Sequence, residues 1–363
     1  MEHCSATRRK RTTSTEAPNA SVSAVPPRTE PSLEEKVAHL SCAESYVEGA
    51  TDVEIVETHM SYVFLTDSYA YKMKKPVRYR FLDLASPDAR RRNCEEALRL
   101  NDRLAEGVCL GVVPLSICAD ALKIDDATHP VDWLLKMRRL PKQLMLDRAI
   151  DQARVTRQDV VRFTRALASF YARADRVRCD AGRYRAGLKD TVVQSHRALS
   201  SPAFGFDEHM LDALKNRLIR YLQRAAPLLD KRVHDSMIVE GHGNLRPEHI
   251  CLAPEPVFID CVESDVALRT VDPADELGYL AMECEFLGAD LIPAAIFTTY
   301  RACTGDTVDP TLIAFYQGQR ALFRARIAAA HLEDPLPDHE RVRWLSGAHS
   351  YLRLAEQYCR SLS

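Results

Sequence analysis

The apolar runs Tyr62–Leu65 and Tyr69–Tyr71, rich in aromatic and β-branched residues and separated by Thr66-Asp67-Ser68, predict two β-strands joined by a turn within 61–75. A helix start follows. Ser86 can cap, Pro87 suits the first helical position and Asp88 favours the positive helix end, so a helix is expected to run to about Glu106, where Gly107 stops it. Further strands are expected over 111–118, 121–124 and 131–137, the last leading into Arg138-Arg139-Leu140-Pro141. Beyond that point the apolar residues fall at helical spacing over 160–176, 210–229, 274–286 and 311–332. One β-rich stretch, 237–263, interrupts them. The pattern is that of an α+β protein: a small sheet carrying one helix, then a larger helical part with an inserted hairpin. No internal repeat is visible.

Residues 1 to about 33 break this patterning. They are rich in Ser, Thr, Pro and Ala and carry the basic run Arg8-Arg9-Lys10-Arg11, a composition that cannot bury enough apolar surface to offset its ordering entropy. A disordered tail is expected there, and the run reads as solvated charge. Over all 363 residues the 46% hydrophobic and 28% charged shares are those of a globular chain. A formal net charge of −2 argues against a dedicated nucleic-acid binder. The 11 cysteines have no CxxC pair or regular spacing, which predicts free thiols in a reducing compartment and no structural zinc. No apolar run approaches the roughly 20 residues needed to span a bilayer, nor does the N-terminus carry a signal-peptide stretch. A cytoplasmic protein without a membrane partner is expected.

The chemistry concentrates in His242-Gly-Asn-Leu-Arg-Pro-Glu-His249, followed by an apolar run, a turn at Pro254-Glu255-Pro256, a second apolar run and Asp260. Loop, strand, turn, strand and acid is the order that phosphoryl transfer in kinases requires. One loop places a base beside the acceptor hydroxyl and a metal ligand five residues later, and a hairpin returns a second carboxylate to the same magnesium ions. Laid on the kinase catalytic loop H-R-D-L-x-x-x-N, this segment keeps His242 and Leu245, with Gly243 in place of the arginine. Ala70-Tyr71-Lys72 matches the A-x-K of the strand whose lysine pairs with nucleotide phosphates and a helix glutamate. Lys74 lies on the same strand face, so periodicity alone does not choose between the two lysines.

The histidine-glycine opening of the loop resembles that of aminoglycoside and choline phosphotransferases. The stretches 57–65, 72–76 and 95–96, with Arg269-Thr-Val-Asp-Pro-Ala-Asp-Glu-Leu277, resemble one bacterial branch of aminoglycoside phosphotransferase-like proteins, some fused to an ATP-binding domain. The likeness covers roughly residues 50–335, and no Walker A sequence occurs in the chain. It implies ATP and Mg2+ as cofactors, Lys72 on the phosphates, Glu95 or Glu96 as its helix partner, and Asp260 as the metal aspartate. Adenine is expected against the backbone near 136–140, at Met137. Asp272 is expected to brace the catalytic loop or to cap a helix, and Glu263 to be a second metal carboxylate or a strand-end glutamate. Three departures stand out. No G-x-G-x-x-G precedes Lys72, where Thr58-His59-Met60-Ser61 lies instead. His249 takes the place of a metal-binding asparagine. Asn244 takes that of the catalytic aspartate, and an amide cannot accept a proton.

The resemblance thus implies a protein-kinase-like, two-lobed α+β fold. Its N-lobe spans about 34–140, and a helical C-lobe over 141–363 holds the catalytic loop at about 240–263. Two functions fit. One is an ATP-dependent phosphotransferase for an unidentified small hydroxylated acceptor, with Asn244 orienting the acceptor, Arg246 stabilising transferred charge and His242 in the loop. The other is a pseudokinase that binds nucleotide without turnover.

Overall fold

Ser32 opens the first helix by a reciprocal cap: its hydroxyl accepts from Glu35 N at 3.2 Å, while its own N–H donates to the Glu35 carboxylate at 2.7 Å. In the computed structural model, which describes residues 30–79, 82–119, 121–333 and 335–362, this is α1, Leu33–Leu40. Most of the expected disordered tail therefore lies outside the described residues. Strands β1 (Glu54–Glu57), β2 (Ser61–Leu65) and β3 (Tyr69–Lys74) follow as an antiparallel meander. Thr66 closes the β2–β3 turn, its hydroxyl accepting from Tyr69 N at 3.1 Å. After the two-residue strands β4 (Arg78–Tyr79) and β5 (Leu82–Asp83) comes α2, Pro87–Asp102, capped by Ser86 as its sequence predicts. It ends four residues before Glu106. The chain continues in isolated turns, Ala105 N to Asn101 O and Val108 N to Ala105 O, before Gly107 takes a φ of +70°.

Strands β6 (Cys109–Cys118), β7 (Ala121–Ile124) and β8 (Pro130–Arg138) complete a six-stranded antiparallel sheet in the order β1-β2-β3-β8-β6-β7. β3 sits in its centre, paired to β8 with Ala70 opposite Met137 and Lys72 opposite Leu135. A buried ionic clamp locks α1 and α2 to this sheet. Asp132 of β8 receives Arg90 of α2 in two bonds, at 2.7 and 2.8 Å, and Lys36 of α1 at 2.8 Å.

Past residues 139–145 the chain is mainly helical: α3 (Leu146–Asp151), α4 (Arg157–Arg173), α5 (Ala181–Leu199), α6 (Glu208–Arg224) and α7 (Ala226–His234). The single helix expected over 210–229 is two. Pro227 has no N–H to continue the ladder and its ring would clash with the preceding turn, so the chain restarts at Ala226. Short strands β9 (Val239–Glu240), β10 (Ile250–Cys251) and β11 (Val257–Phe258) carry the expected catalytic segment. Then follow α8 (Val266–Arg269), β12 (Thr270–Val271), α9 (Pro273–Phe286), α10 (Ile292–Thr304), α11 (Pro310–Ala330) and α12 (Asp338–Arg360). β12 pairs with β9, and β10 with β11, which pins both ends of the catalytic loop. One apolar core joins α5, α6, α11 and α12, and a second packs α4, α9 and α10 beneath that loop. Among the described residues no helix is long and apolar enough to cross a membrane.

Candidate active site

Between the sheet and the helical lobe lies a cleft of about 450 Å³. Val63, Leu65 and Ala70 form its apolar roof, and Met137 and Leu140 line the side where the chain crosses between lobes. Lys72 enters from β3, Lys74 lies buried beside it on the same strand face, as period two dictates, and each finds its own carboxylate. The Lys72 ammonium bonds Asp260, 188 positions away in the chain. The Lys74 ammonium bonds Glu263. Periodicity alone does not choose between the lysines; the A-x-K match favours Lys72, which is the one that lines the cleft.

Asp260 follows β11 and holds a φ of +64°, a left-handed conformation uncommon outside glycine though tolerated by Asp. Enclosure in the cleft favours its neutral form, but the Lys72 ammonium and neighbouring His249 and Lys74 hold the carboxyl well below the usual range. For Lys72 the same enclosure opposes charge, and the Asp260 and Glu263 carboxylates outweigh it and raise its pKa. Both groups are ionised at neutral pH.

In the catalytic loop, Gly243 has a φ of +84°, and a Cβ there would meet Val262, Leu268 and Arg269 atoms at 3.1 Å. The residue that replaces the kinase arginine is thus glycine for both conformation and space. His242 is fully buried, so it packs behind the loop and does not face the cleft. One ring nitrogen bonds Ile259 O at 2.8 Å, the other accepts Asn244 N at 3.3 Å, and burial lowers its pKa. It is a neutral strut joining the loop to the strand that ends in Asp260. Asn244 is half-buried, and its side-chain oxygen accepts from the Tyr279 hydroxyl at 3.4 Å.

His249 Nδ1 lies 2.7 Å from the Asn244 carbonyl, which can only accept, so Nδ1 carries the proton. Burial depresses the ring to a pKa of about 4, against the pull of Asp260, so it is neutral at pH 7. Nε2 then accepts from an Arg246 nitrogen at 3.4 Å and lies 3.6 Å from Asp260 Oδ2. A metal at Nε2 would have to displace that Arg246 bond. The Arg246 guanidinium is held at 2.5 Å by Glu248, and its buried Nε has no hydrogen-bond partner. No cluster of three or more His, Cys, Asp or Glu ligands forms among the described residues. Magnesium takes oxygen ligands and, with phosphates and waters, needs only one or two carboxylates, so Asp260 fits that ion and the His249 nitrogen is the less favourable ligand.

Two expected roles are corrected. Neither Glu95 nor Glu96 reaches Lys72. Cys94, Ala97 and Asn101 occupy the inward stripe of α2, which turns Glu95 to solvent, where it pairs with Arg91 at 2.8 Å. Glu96 instead meets Arg99 at 2.8 Å and Arg269 at 2.6 Å. Nor does Asp272 bond to the catalytic loop. It caps α9 at Ala274 N and is fully engaged by Arg232. The brace is Glu276, whose carboxylate accepts from His242 N at 3.0 Å and Gly243 N at 2.6 Å, and from the Tyr171 hydroxyl at 2.8 Å.

Sequence reasoning missed Glu276, Tyr279 and Asn101. Asn101 Oδ1 accepts from Cys261 N at 3.2 Å, directly after Asp260. The three acids of Asp272-Pro-Ala-Asp-Glu276 were the available signal, but only a tertiary contact separates them. The Thr58 hydroxyl, in the β1–β2 turn, is spent inside that turn on Ser61 O at 3.1 Å and Ser61 N at 3.0 Å.

No protein-family model matches the chain. Uncharacterized proteins of Mycobacterium tuberculosis and Mycobacterium bovis are 28% identical over 315 residues, covering 84% of this chain. The chain spans 60% of their length. Among solved structures, a choline kinase from Cryptosporidium parvum aligns with a TM-score of 0.51 at 9% identity, covering 90% of this chain and 94% of that one. A Plasmodium vivax ethanolamine kinase aligns with a TM-score of 0.51 at 11% identity, covering 86% and 84%. An aminoglycoside phosphotransferase from Streptomyces rimosus, solved with ADP and streptomycin, aligns at a lower 0.45 and 17% identity, covering 79% and 97%. The two kinases show the fold: it is protein-kinase-like, with a curled antiparallel N-lobe and a helical C-lobe.

Proposed function

We propose that the protein is an ATP-dependent phosphotransferase acting on a small hydroxylated acceptor. The observation that carries this reading is the meeting of Lys72, from the sheet, with Asp260, from the helical lobe, beside the loop 242–249. Adenine lies against Met137 and the crossing strand, and Lys72 exchanges Asp260 for the nucleotide phosphates. A bound magnesium ion would supply charge neutralisation at the phosphates. Asp260 would hold it, with the Nε2 of His249 as the less favourable ligand. The acceptor oxygen forms a bond to the γ-phosphorus as the bond to the β–γ bridging oxygen breaks, and ADP leaves. Asn244 accepts a hydrogen bond from the acceptor hydroxyl and orients it, but the hydroxyl proton departs to solvent or to phosphate. Positioning and charge neutralisation supply most of such catalysis, so the reaction proceeds slowly without a base.

The acceptor enters from a hollow of about 770 Å³ between α5 and residues 266–271. Its floor is the Asp275–Arg320 pair, and Arg320 lies over the Tyr279 ring that contacts Asn244. Asp275 is neutralised there, and the buried Gln319 Oε1, with no hydrogen-bond partner, offers an uncharged acceptor for a ligand hydroxyl. A cytoplasmic setting belongs to the same proposal, supported by the free state of every described cysteine.

Asn244 favours a second reading, a pseudokinase that binds nucleotide without turnover. Transfer of labelled γ-phosphate to a panel of sugars, amino alcohols and aminoglycosides separates the two. Slow acceptor-dependent transfer supports the enzyme, whereas ATP binding with no transfer, even after Asn244→Asp, supports the pseudokinase.

A further inference from the structure

The two β3 lysines meet two carboxylates of one short loop, yet the pairs differ in their access to water. The Lys72 and Asp260 side chains are 16% and 43% exposed, while Lys74 and Glu263 are 1% and 9% exposed. A phosphate arriving in the cleft can take Lys72 from Asp260, and a cation can take Asp260 from Lys72. Glu263 touches the cleft but is only 9% exposed, and Lys74 lies outside the cleft lining, so their pair is far less open to such exchange. Between the two carboxylates, Cys261 N donates to Asn101 of α2, so three of four successive residues are each held by a different side chain of the N-lobe. Asp260 needs this support, because a left-handed φ persists only where its surroundings fix it. Of the helix glutamates, Glu95 faces solvent, and Glu96 reaches the loop only through Arg269, which donates to Val262 O at 3.2 Å.

We propose that Lys74 and Glu263 are positioning residues that form a permanent joint between β3 and the 260–263 loop and hold Asp260 at its working place while Lys72 changes partner. This rests on the nucleotide-binding reading above. Unlike a pair of Lys72 with a glutamate of α2, both in the N-lobe, the Lys74–Glu263 pair crosses between the lobes, and it leaves Lys72 free for phosphate. Glu263 is then no ligand of the metal, and its carboxylate serves Lys74.

The test measures affinity for ATP with and without Mg2+ by titration calorimetry on the full chain. It compares wild type, Lys74→Met, Glu263→Gln, the charge swap Lys74→Glu with Glu263→Lys, and Glu95→Gln on the solvent face of α2. We expect each single change at the joint to weaken ATP·Mg at least tenfold and Mg-free ATP by threefold or less. The swap should return ATP·Mg affinity to within about threefold of wild type, and Glu95→Gln should leave it unchanged. Singles that bind ATP·Mg like wild type would overturn the joint. A swap no better than Glu263→Gln would overturn it too, and would instead make Glu263 a metal ligand.

Melting of the nucleotide-free variants is the independent arm. The swap should melt above both single variants, and if it melts no higher than the lower of them the joint fails. If wild type binds no ATP, the phosphotransferase reading fails while this arm still decides the joint.

Discussion

An amide differs from a carboxylate at position 244 chiefly in what it can do with a proton. Asn and Asp have nearly the same shape, so Asn244→Asp keeps the Tyr279 contact and adds a group that can accept the acceptor's proton. Turnover should rise by the 10²–10⁴-fold typical of general-base assistance, read as initial rates of ADP release with a productive acceptor. His249 carries a second expectation. Its folded pKa of about 4 lies below the ordinary value of 6.5, so on acidification the unfolded chain takes up the proton first. The stability this contributes is present above about pH 6.5 and is lost as the pH falls toward 4. His249→Asn should flatten that part of a urea-denaturation series run from pH 7.5 to 4.5, by an amount on the order of 3 kcal/mol at full effect. An unchanged slope would mean the ring is already protonated.

Elements, more than single residues, decide where such groups stand. α9 begins under the catalytic loop, and Glu276 in its first turn is the acceptor for two loop N–H groups. Glu276→Ala strips both, at a cost of about 1–3 kcal/mol for each buried donor left unpaired. The denaturation midpoint should fall accordingly, and Tyr171→Phe, which removes one bond to the same carboxylate, should cost less. Strands β2, β3, β6, β7 and β8, the Ser86 cap and the loop–hairpin order were legible in the sequence because each depends on neighbours a few residues away, whereas edge strand β1 was not foreseen. The partners of those elements were not. Period two put Lys72 and Lys74 on one face but could not name Asp260 and Glu263 as their two carboxylates. A glutamate pair on α2 looked apt until the helix phase gave the inward stripe to Cys94, Ala97 and Asn101. Asp272, Asp275 and Glu276 are equivalent acids in sequence, and only contacts from α7, α11 and the loop assign them three different tasks.

At the scale of the molecule, the sheet supplies lysines, the helical lobe supplies Asp260, His249 and Asn244, and the cleft exists because the lobes face each other. Nucleotide that binds only this closed arrangement must stabilise it, by about 2.7 kcal/mol at a hundredfold excess over Kd, which amounts to several degrees of melting temperature for a chain of this size. The measurement is therefore a thermal melt of wild type, Lys72→Ala and Asp260→Ala, each with and without saturating ATP·Mg. Wild type should melt several degrees higher with ATP·Mg, and both variants should lose most of that rise. A wild-type transition that saturating ATP·Mg leaves unmoved would contradict the account.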